Sequence, residues 1–122
     1  MDRNEVARRG EDAAAAFVER VGMTVVERNW RCAAGEIDIV ALDGEDLVFV
    51  EVKTRRSERA GSAEEAVSTT KQRRLARLAD EYIRATGTDS IAQVRFDVVA
   101  IRVIADDRAL LRHHRAAFMV TR

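Results

Sequence analysis

Residues 35–55 read GEIDIVALDGEDLVFVEVKTR, two apolar segments on either side of Asp43-Gly44. Consecutive apolar positions within a short segment are typical of strands that are covered on both faces. An Asp-Gly pair between two such segments is a strong signal for a hairpin. The sequence therefore predicts two central strands, Glu36–Leu42 and Leu47–Lys53, joined as an antiparallel hairpin.

Charged side chains occupy strand positions where the pattern calls for apolar ones. Because side chains alternate along a strand, Glu51 and Lys53 should share the face of Leu47 and Phe49. A connection over residues 43–46 would set Asp38 opposite Glu51. A two-residue connection would instead set Glu36 opposite Glu51, with Asp38 on the diagonal. Both registers gather the acids on one face, whereas a slip by one residue would scatter them.

Two facing carboxylates repel each other and destabilise a sheet unless a cation lies between them. The available ligands, Asp38 and Glu51, offer oxygen only, which favours Mg²⁺ or Mn²⁺ over Zn²⁺ or Cu²⁺. The alternative is that Lys53 simply forms an ion pair with Glu51 or Asp38. The second acid, the shared face and the two-sided apolar strands together favour a metal site.

The flanking sequence predicts helices and further strands around this hairpin. Asn4 can cap a first helix that runs to about Val21 and stops at Gly22. A strand over Met23–Cys32 follows it. Ser62-Ala63-Glu64-Glu65 has the spacing of a capping box. The remaining predicted elements are a helix over Thr70–Ala85 ended by Gly87, a strand over Val94–Ile104, and one or two short strands over Leu110–His114 and Ala117–Val120. This order predicts an α/β fold, a mixed central sheet flanked by helices.

Length and composition are those of one domain, residues 1–122. Apolar residues make up 47% and charged residues 34% of the 122, enough for one core and too balanced for disorder. No apolar run is long enough to span a membrane, and the N-terminus has no signal-peptide pattern. Cys32 is the single cysteine, so no internal disulfide forms and a cytoplasmic location is expected.

The formal net charge is zero, yet the charges are unevenly distributed. Residues 36–51 contain six acids and no base, residues 53–84 carry a net charge of +4, and residues 102–122 carry +3. An acidic spot beside basic flanks is the pattern expected of a metal site that also holds a phosphate backbone. Ordinary charged surface is the alternative interpretation of the same pattern.

The sequence also resembles a known family. Residues 35–41, GEIDIVA, and 47–55, LVFVEVKTR, are similar to the signature of the YraN-like (UPF0102) family of the PD-(D/E)XK nuclease superfamily. The superfamily includes restriction endonucleases and archaeal Holliday junction resolvases. The resemblance extends through Arg9-Gly10-Glu11, Lys71-Gln72 and residues 95–99, RFDVV, and therefore covers most of the chain.

This resemblance implies a restriction-endonuclease-like fold with Asp38 and Glu51 as metal ligands and Lys53 as the catalytic lysine. It further implies the backbone carbonyl of Val52 as another ligand and Glu11 as a helix-borne contributor to the metal site. An ion pair of Glu11 with Arg8 or Arg9 is the alternative. Ile37 stands where the superfamily name has proline, a common variation that does not imply inactivity.

Other polar residues have more than one interpretation. Glu36 is a supporting residue of the site or an ion-pair partner of Arg31. Lys71 and Gln72 lie in the first turn of the second predicted helix, on its sheet-facing side. The resemblance implies that they face the site, with Gln72 as a supporting residue, and a solvated helix start is the alternative. Asp97 is expected to be a buried, hydrogen-bonded structural residue. The residues predicted to contact phosphates are Arg55, Arg56, Lys71, Arg73 and Arg74.

Two functions from different classes are compatible with the sequence. The first is a Mg²⁺- or Mn²⁺-dependent phosphodiesterase, endonuclease-like, that acts on DNA, including branched or processed DNA. The second is a nucleic-acid-binding module that keeps the nuclease fold without useful turnover. Resolvase-like relatives act as dimers, which leaves a homodimer open, although no surface in the sequence identifies a dimer face.

Overall fold

A computed structural model describes residues 2–56, 67–87 and 93–118. Two helices and five strands follow the chain in the order α1 (Arg3–Arg20), β1 (Thr24–Cys32), β2 (Gly35–Asp43), β3 (Asp46–Arg55), α2 (Thr69–Thr86), β4 (Gln93–Ala105) and β5 (Arg108–Phe118). The sheet has the spatial order β1-β2-β3-β4-β5. Only the β3–β4 pair is parallel. The α/β class with a mixed sheet is confirmed and is consistent with a restriction-endonuclease-like fold.

The central strands bury apolar side chains on both faces, as their sequence predicts. On one face Val48 and Val50 pack with Ala14 and Val18 of α1, a set we call the α1 side. On the opposite face, the α2 side, Phe49 packs among residues of α2 that include Leu78 and Tyr82. Each helix therefore covers one face of the sheet, and neither face of β3 can be polar without a specific reason.

The hairpin register is the one that sets Leu42 opposite Leu47 and Val40 opposite Phe49. Asp43 also pairs with Asp46, so the chain turns on Gly44-Glu45 within the predicted connection over residues 43–46. The register is thus not the alternative one that would set Glu36 opposite Glu51. Gly44 has φ of 62°, a left-handed conformation that suits glycine at the tip of a tight turn. Pairing between β2 and β3 ends at Ile39–Val50, before Asp38 could pair with Glu51.

Side-chain alternation in β2 breaks at Asp38, which the sequence pattern did not predict. Strict alternation would put Ile37 on the same face as Ile39, yet Ile37 packs on the α2 side and Ile39 on the α1 side. The break lies between Ile37 and Ile39, so the face of Asp38 does not follow from simple alternation alone. The physical reason is that the Asp38 carboxylate itself accepts the backbone N–H of Val52 and so replaces a rung of the ladder.

The helix ends agree with the predictions except at the first cap. Asp2, and not Asn4, caps α1, because its carboxylate accepts the Glu5 N–H at 2.8 Å while Asn4 is already helical. Ser68 caps α2 through the Lys71 N–H, and Gly87 ends it with φ of 71°, as predicted. The predicted capping box at residues 62–65 lies outside the described residues.

The C-terminal part of the described chain forms one long strand, β5, where one or two short ones were predicted; Val120 lies outside the described residues. Trp30 and Cys32 are partly buried against the α2-side core, as expected. Among the described residues, no helix combines the length and the apolar content needed to cross a membrane.

Candidate metal and catalytic site

The candidate site lies where β2 and β3 separate. Ladder pairing stops after Ile39–Val50, and the Val52 N–H donates to Oδ2 of Asp38 at 2.8 Å. This hydrogen bond holds the carboxylate in the gap between the two strands. β2 thus presents the carboxylate of Asp38 at the point where its backbone pairing with β3 stops.

Asp38 is an unfavourable place for a negative charge. Burial is the main cause that raises the pKa of Asp38, to about 7, and the charge of Glu51 is the second. Glu11 and Glu36 raise it further, and the Val52 hydrogen bond opposes them. Asp38 and Glu51 are therefore close enough to repel, which is the arrangement that the hairpin register predicted.

Glu51 has a cationic partner from α2. Its Oε2 lies 2.6 Å from Nζ of Lys71, and the Glu51 side chain is 12% exposed. Lys71 was predicted to contact phosphates at the edge of the site. In the structure it lies at the candidate metal ligand, in the first turn of a helix whose N-terminus Ser68 fixes beside the sheet.

Lys53 follows Glu51 on the same strand and pairs in register with Ala100 of β4. Lys53 is only 9% exposed. Among the described residues, Lys53 and Asp97 are the two that are both charged and buried. Because side chains alternate along a strand, the buried Lys53 projects from the same face of β3 as the largely buried Glu51. The structure therefore brings together Asp38, Glu51 and Lys53, the predicted catalytic residues.

Glu11 approaches the site from α1. It lies 3.9 Å from Arg28 and accepts a hydrogen bond from the Asn29 side chain, two contacts that the sequence did not predict. Burial raises the pKa of Glu11, and the nearby charge of Glu36 adds to the effect. The neighbouring residue Gly10 makes this approach feasible, because a Cβ there would collide with the Thr54 hydroxyl.

The other two predicted supporting residues, Glu36 and Gln72, differ in whether they lie near the carboxylates of the site. Glu36 lies 3.5 Å from Arg31, the ion pair that the sequence offered as one alternative, and its charge also reaches Asp38 and Glu11. Gln72 does not face the carboxylates; its Nε2 donates to the Val67 carbonyl at 2.8 Å and fixes the start of α2.

The predicted phosphate-contacting residues lie on two elements, the end of β3 and the start of α2. Arg55 and Arg56 leave the end of β3 and line an open groove of about 570 Å³ against α1. Arg56 also pairs with Asp106 at 3.8 Å. Arg73 and Arg74 are exposed on α2.

The donor set fits a hard divalent cation in chemistry, because it consists of carboxylate oxygens. Within residues 2–56, 67–87 and 93–118, no three Asp, Glu, His or Cys side chains converge into a complete cation site. A bound Mg²⁺ or Mn²⁺ would thus take Asp38 and Glu51 as its protein carboxylates. Mg²⁺ usually keeps several waters and needs only one or two carboxylates, so this small set is sufficient.

A second polar cluster surrounds Asp97, whose structural role was predicted but whose partners were not. Arg95 binds both of its carboxylate oxygens, at 2.9 and 3.0 Å, and His113 lies 2.8 Å from Oδ2. The Ala116 N–H donates to Oδ1 at 2.9 Å. The His113 contact could not be predicted from the sequence, since it depends on the register between β4 and β5.

Comparison with known proteins finds similarity to the UPF0102 family. The profile of the uncharacterised protein family UPF0102 matches residues 10–101. A UPF0102 protein of Rhodococcus jostii is 49% identical over 109 residues, covering 89% of this chain and 92% of that protein. One from Geobacter sulfurreducens is 44% identical, covering 90% and 85%. One from Symbiobacterium thermophilum is 48% identical, covering 93% and 95%.

Proposed function

The chain belongs to the UPF0102 family, and we propose that it is a metal-dependent phosphodiesterase that cleaves DNA. One observation carries the proposal: the half-buried Asp38 lies beside Glu51 at the point where β2 and β3 separate, and Lys53 lies two residues further along β3. Mutual repulsion of two half-buried acids lowers stability, so their presence needs a compensating role.

Asp38 and Glu51 would hold Mg²⁺ or Mn²⁺, with the backbone carbonyl of Val52 as a further ligand. Such an ion supplies an acidified water and screens the charge of the scissile phosphate. The protein contributes the orientation of the ligands. The Val52 N–H holds one oxygen of Asp38, and the Lys71 ammonium holds one oxygen of Glu51. Both carboxylates are thereby kept in one rotamer before substrate arrives.

Lys53 would act on the phosphate itself. Its ammonium is held in a largely water-free position, where an interaction with developing negative charge is stronger than in water. Lysine is not a ligand for Mg²⁺, so its role is separate from metal binding. Glu11, held by Asn29 and Arg28, would support the site from α1.

Nicking of supercoiled plasmid and of branched DNA in Mn²⁺ tests the proposal. Lys53→Ala should lower turnover at least about 100-fold while Mn²⁺ binding persists, because the variant keeps both carboxylates. Glu51→Gln should lose both. Arg84→Ala, a change of the same charge at an exposed ion pair with Glu81, should cleave like the wild type. Equal cleavage by every variant would identify the activity as a contaminant.

A second candidate is a nucleic-acid-binding module without turnover. The Glu51–Lys71 contact at 2.6 Å favours it, because the lysine satisfies a carboxylate that an enzyme would give to the metal. Mn²⁺ titration of the wild type and of Lys71→Ala separates the two. The enzyme hypothesis expects the wild type to bind Mn²⁺ and the variant to bind it more tightly, since a competing cation is gone. DNA binding with no Mn²⁺ site in either protein would favour the module.

A further inference from the structure

Beyond the candidate site, the sheet continues through β4 to the edge strand β5. The register sets Lys53 beside Ala100, and Ala100 beside Arg112. One rung further along, Arg55 lies beside Arg102, and Arg102 beside Leu110. Directly paired residues project from the same face of a sheet. Arg112 and Arg102 are therefore on the face of β3 that carries Glu51 and Lys53.

The packing of neighbouring residues gives the same assignment. Val98 of β4 packs on the α2 side, whereas Ile101 and Leu111 pack on the α1 side. Alternation then puts Arg102, Leu110 and Arg112 on the α2 side. Val103 and Ala105 line a cavity against α1, and Ile104 lies exposed at a bulge between them, at the same end of the hairpin as Leu110.

The chemistry of this surface is both basic and apolar. Arg112 is exposed, Arg102 is half-buried, and the two aliphatic residues beside them are 56% (Ile104) and 49% (Leu110) exposed. Two strand spacings separate Arg112 from Lys53, or about 10 Å. Two long arginine side chains at that range can reach phosphates next to the one at Lys53. Guanidinium groups donate hydrogen bonds to phosphate oxygens. Exposed aliphatic side chains make no such bond, so a ligand of this surface must also offer apolar groups.

We propose that the α2-side face of the β4–β5 hairpin binds DNA that flanks the scissile phosphate, and that it favours unpaired nucleotides. The inference rests on the proposed function and extends it to the form of the substrate. Arg102 and Arg112 contact the backbone. Leu110 and Ile104 contact sugars and the faces of bases, which are accessible in unpaired nucleotides and stacked away in a duplex. The arginines predicted from sequence on α2, Arg73 and Arg74, would lie off this path.

Fluorescence anisotropy in EDTA tests the path, with a labelled 30-base-pair duplex and the same duplex carrying an unpaired fork. Arg112→Ala should weaken binding to both and reduce the slope of log affinity against log salt by about 0.7 to 0.9. Arg112→Lys should restore most of the slope. Leu110→Ser should reduce the preference for the fork at least about threefold and leave the salt slope unchanged. Arg84→Ala is the charge-matched control, and thermal melts check the folding of each variant.

The outcomes are distinguishable from failure of the proposed function. Wild-type binding that Arg112→Ala and Leu110→Ser leave intact overturns this surface and leaves the enzyme proposal standing, and dependence on Arg73 and Arg74 instead would assign the path to α2. Absence of any DNA binding by the wild type removes the proposed function. If Leu110→Ser shifts the sedimentation coefficient from dimer to monomer, the surface joins two copies of the chain and the inference is wrong.

Discussion

Asp38, which is half-buried, and Asp97, which is buried, are two acids of one sheet, and their surroundings are opposite. Around Asp97, burial alone would raise the pKa, but hydrogen bonds from Arg95, the Ala116 N–H and His113 outweigh it, and the pKa is lowered. Around Asp38, burial and three neighbouring carboxylates act together against one hydrogen bond, and the pKa rises to about 7. The first acid is fully compensated by the fold, and the second is not.

The contrast separates a structural carboxylate from a functional one. The Asp97 network joins β4 to β5 through His113 and to the β2–β3 hairpin through Arg95, which lies 2.8 Å from Asp43. Each charge in it has a partner, so it holds the sheet together. In the Asp38 cluster Glu51 pairs with Lys71 and Glu11 pairs with Arg28, yet Asp38 itself remains repelled by both acids, and the Val52 N–H is the contact that opposes this repulsion. Unequal surroundings of this kind support the proposed catalytic role of Asp38.

The largest expected effect is on cleavage. Asp38→Asn keeps an oxygen that accepts the Val52 N–H but loses the charge, so Mn²⁺-dependent nicking should fall at least about 100-fold. Asp97→Asn should retain activity within about threefold per folded molecule, because Asp97 does not reach the site. Nicking assays below the melting temperature of both variants measure this. Equal losses in the two would remove the distinction.

The next effect is on stability, where Asp97→Asn should be the more damaging of the two substitutions. Asp97→Asn leaves the Arg95 guanidinium without its main counter-charge in a buried position, which should cost about 3–5 kcal/mol. Asp38→Asn should leave the metal-free protein unchanged or more stable, because it relieves repulsion. Urea unfolding in EDTA compares them, with Asp43→Asn, a more exposed partner of Arg95, as an intermediate case. A clear loss in Asp38→Asn would make Asp38 a structural ion-pair member.

A smaller effect concerns pH. The folded pKa of Asp38 lies above its ordinary value, so the folded state binds the extra proton and stability falls as pH rises from about 4 to about 7. The depressed pKa of Asp97 has the opposite sign: its contribution is present above pH 4 and is lost as pH falls further. Partial solvent screening limits the Asp38 effect to about 2 kcal/mol.

Urea unfolding in EDTA between pH 3 and pH 8 measures both slopes. Asp38→Asn should remove the fall between pH 4 and pH 7, and Asp97→Asn should remove the acid-side loss. A wild-type curve that matches the Asp38→Asn curve above pH 4 would contradict the assigned surroundings of Asp38.

The smallest effect isolates one bond of the structural network. His113→Phe removes the hydrogen bond to Asp97 but retains an aromatic ring beside Phe17, whose centroid lies 5.8 Å from that of His113. The loss should be about 1–2 kcal/mol, the scale for one hydrogen bond to a charged group. The melting temperature reports it, and the double variant with Asp97→Asn should show less than the sum of the two losses.

Prediction from sequence succeeded where the information is local. Apolar runs, Asp43-Gly44 and Gly87 identify strands, a hairpin and a helix end within a few residues of the observed positions. The first helix cap was wrong because Asn4 and Asp2 are both good capping residues, and local sequence alone did not rank them. The break at Asp38 was missed because alternation assumes an unbroken ladder, and a side chain that replaces a rung reverses it.

By itself, the sequence determined that Asp38, Glu51 and Lys53 lie on two adjacent strands of one α/β sheet, since hydrophobic pattern and turn chemistry leave two registers and both gather the acids. Only the tertiary structure decided which charge faces which. Lys71 meets Glu51, Glu11 arrives beside Asp38, and His113 meets Asp97 through contacts between elements distant in the chain. Local propensity carries no information about such partners, because helix docking and strand order bring them together only when the whole core packs.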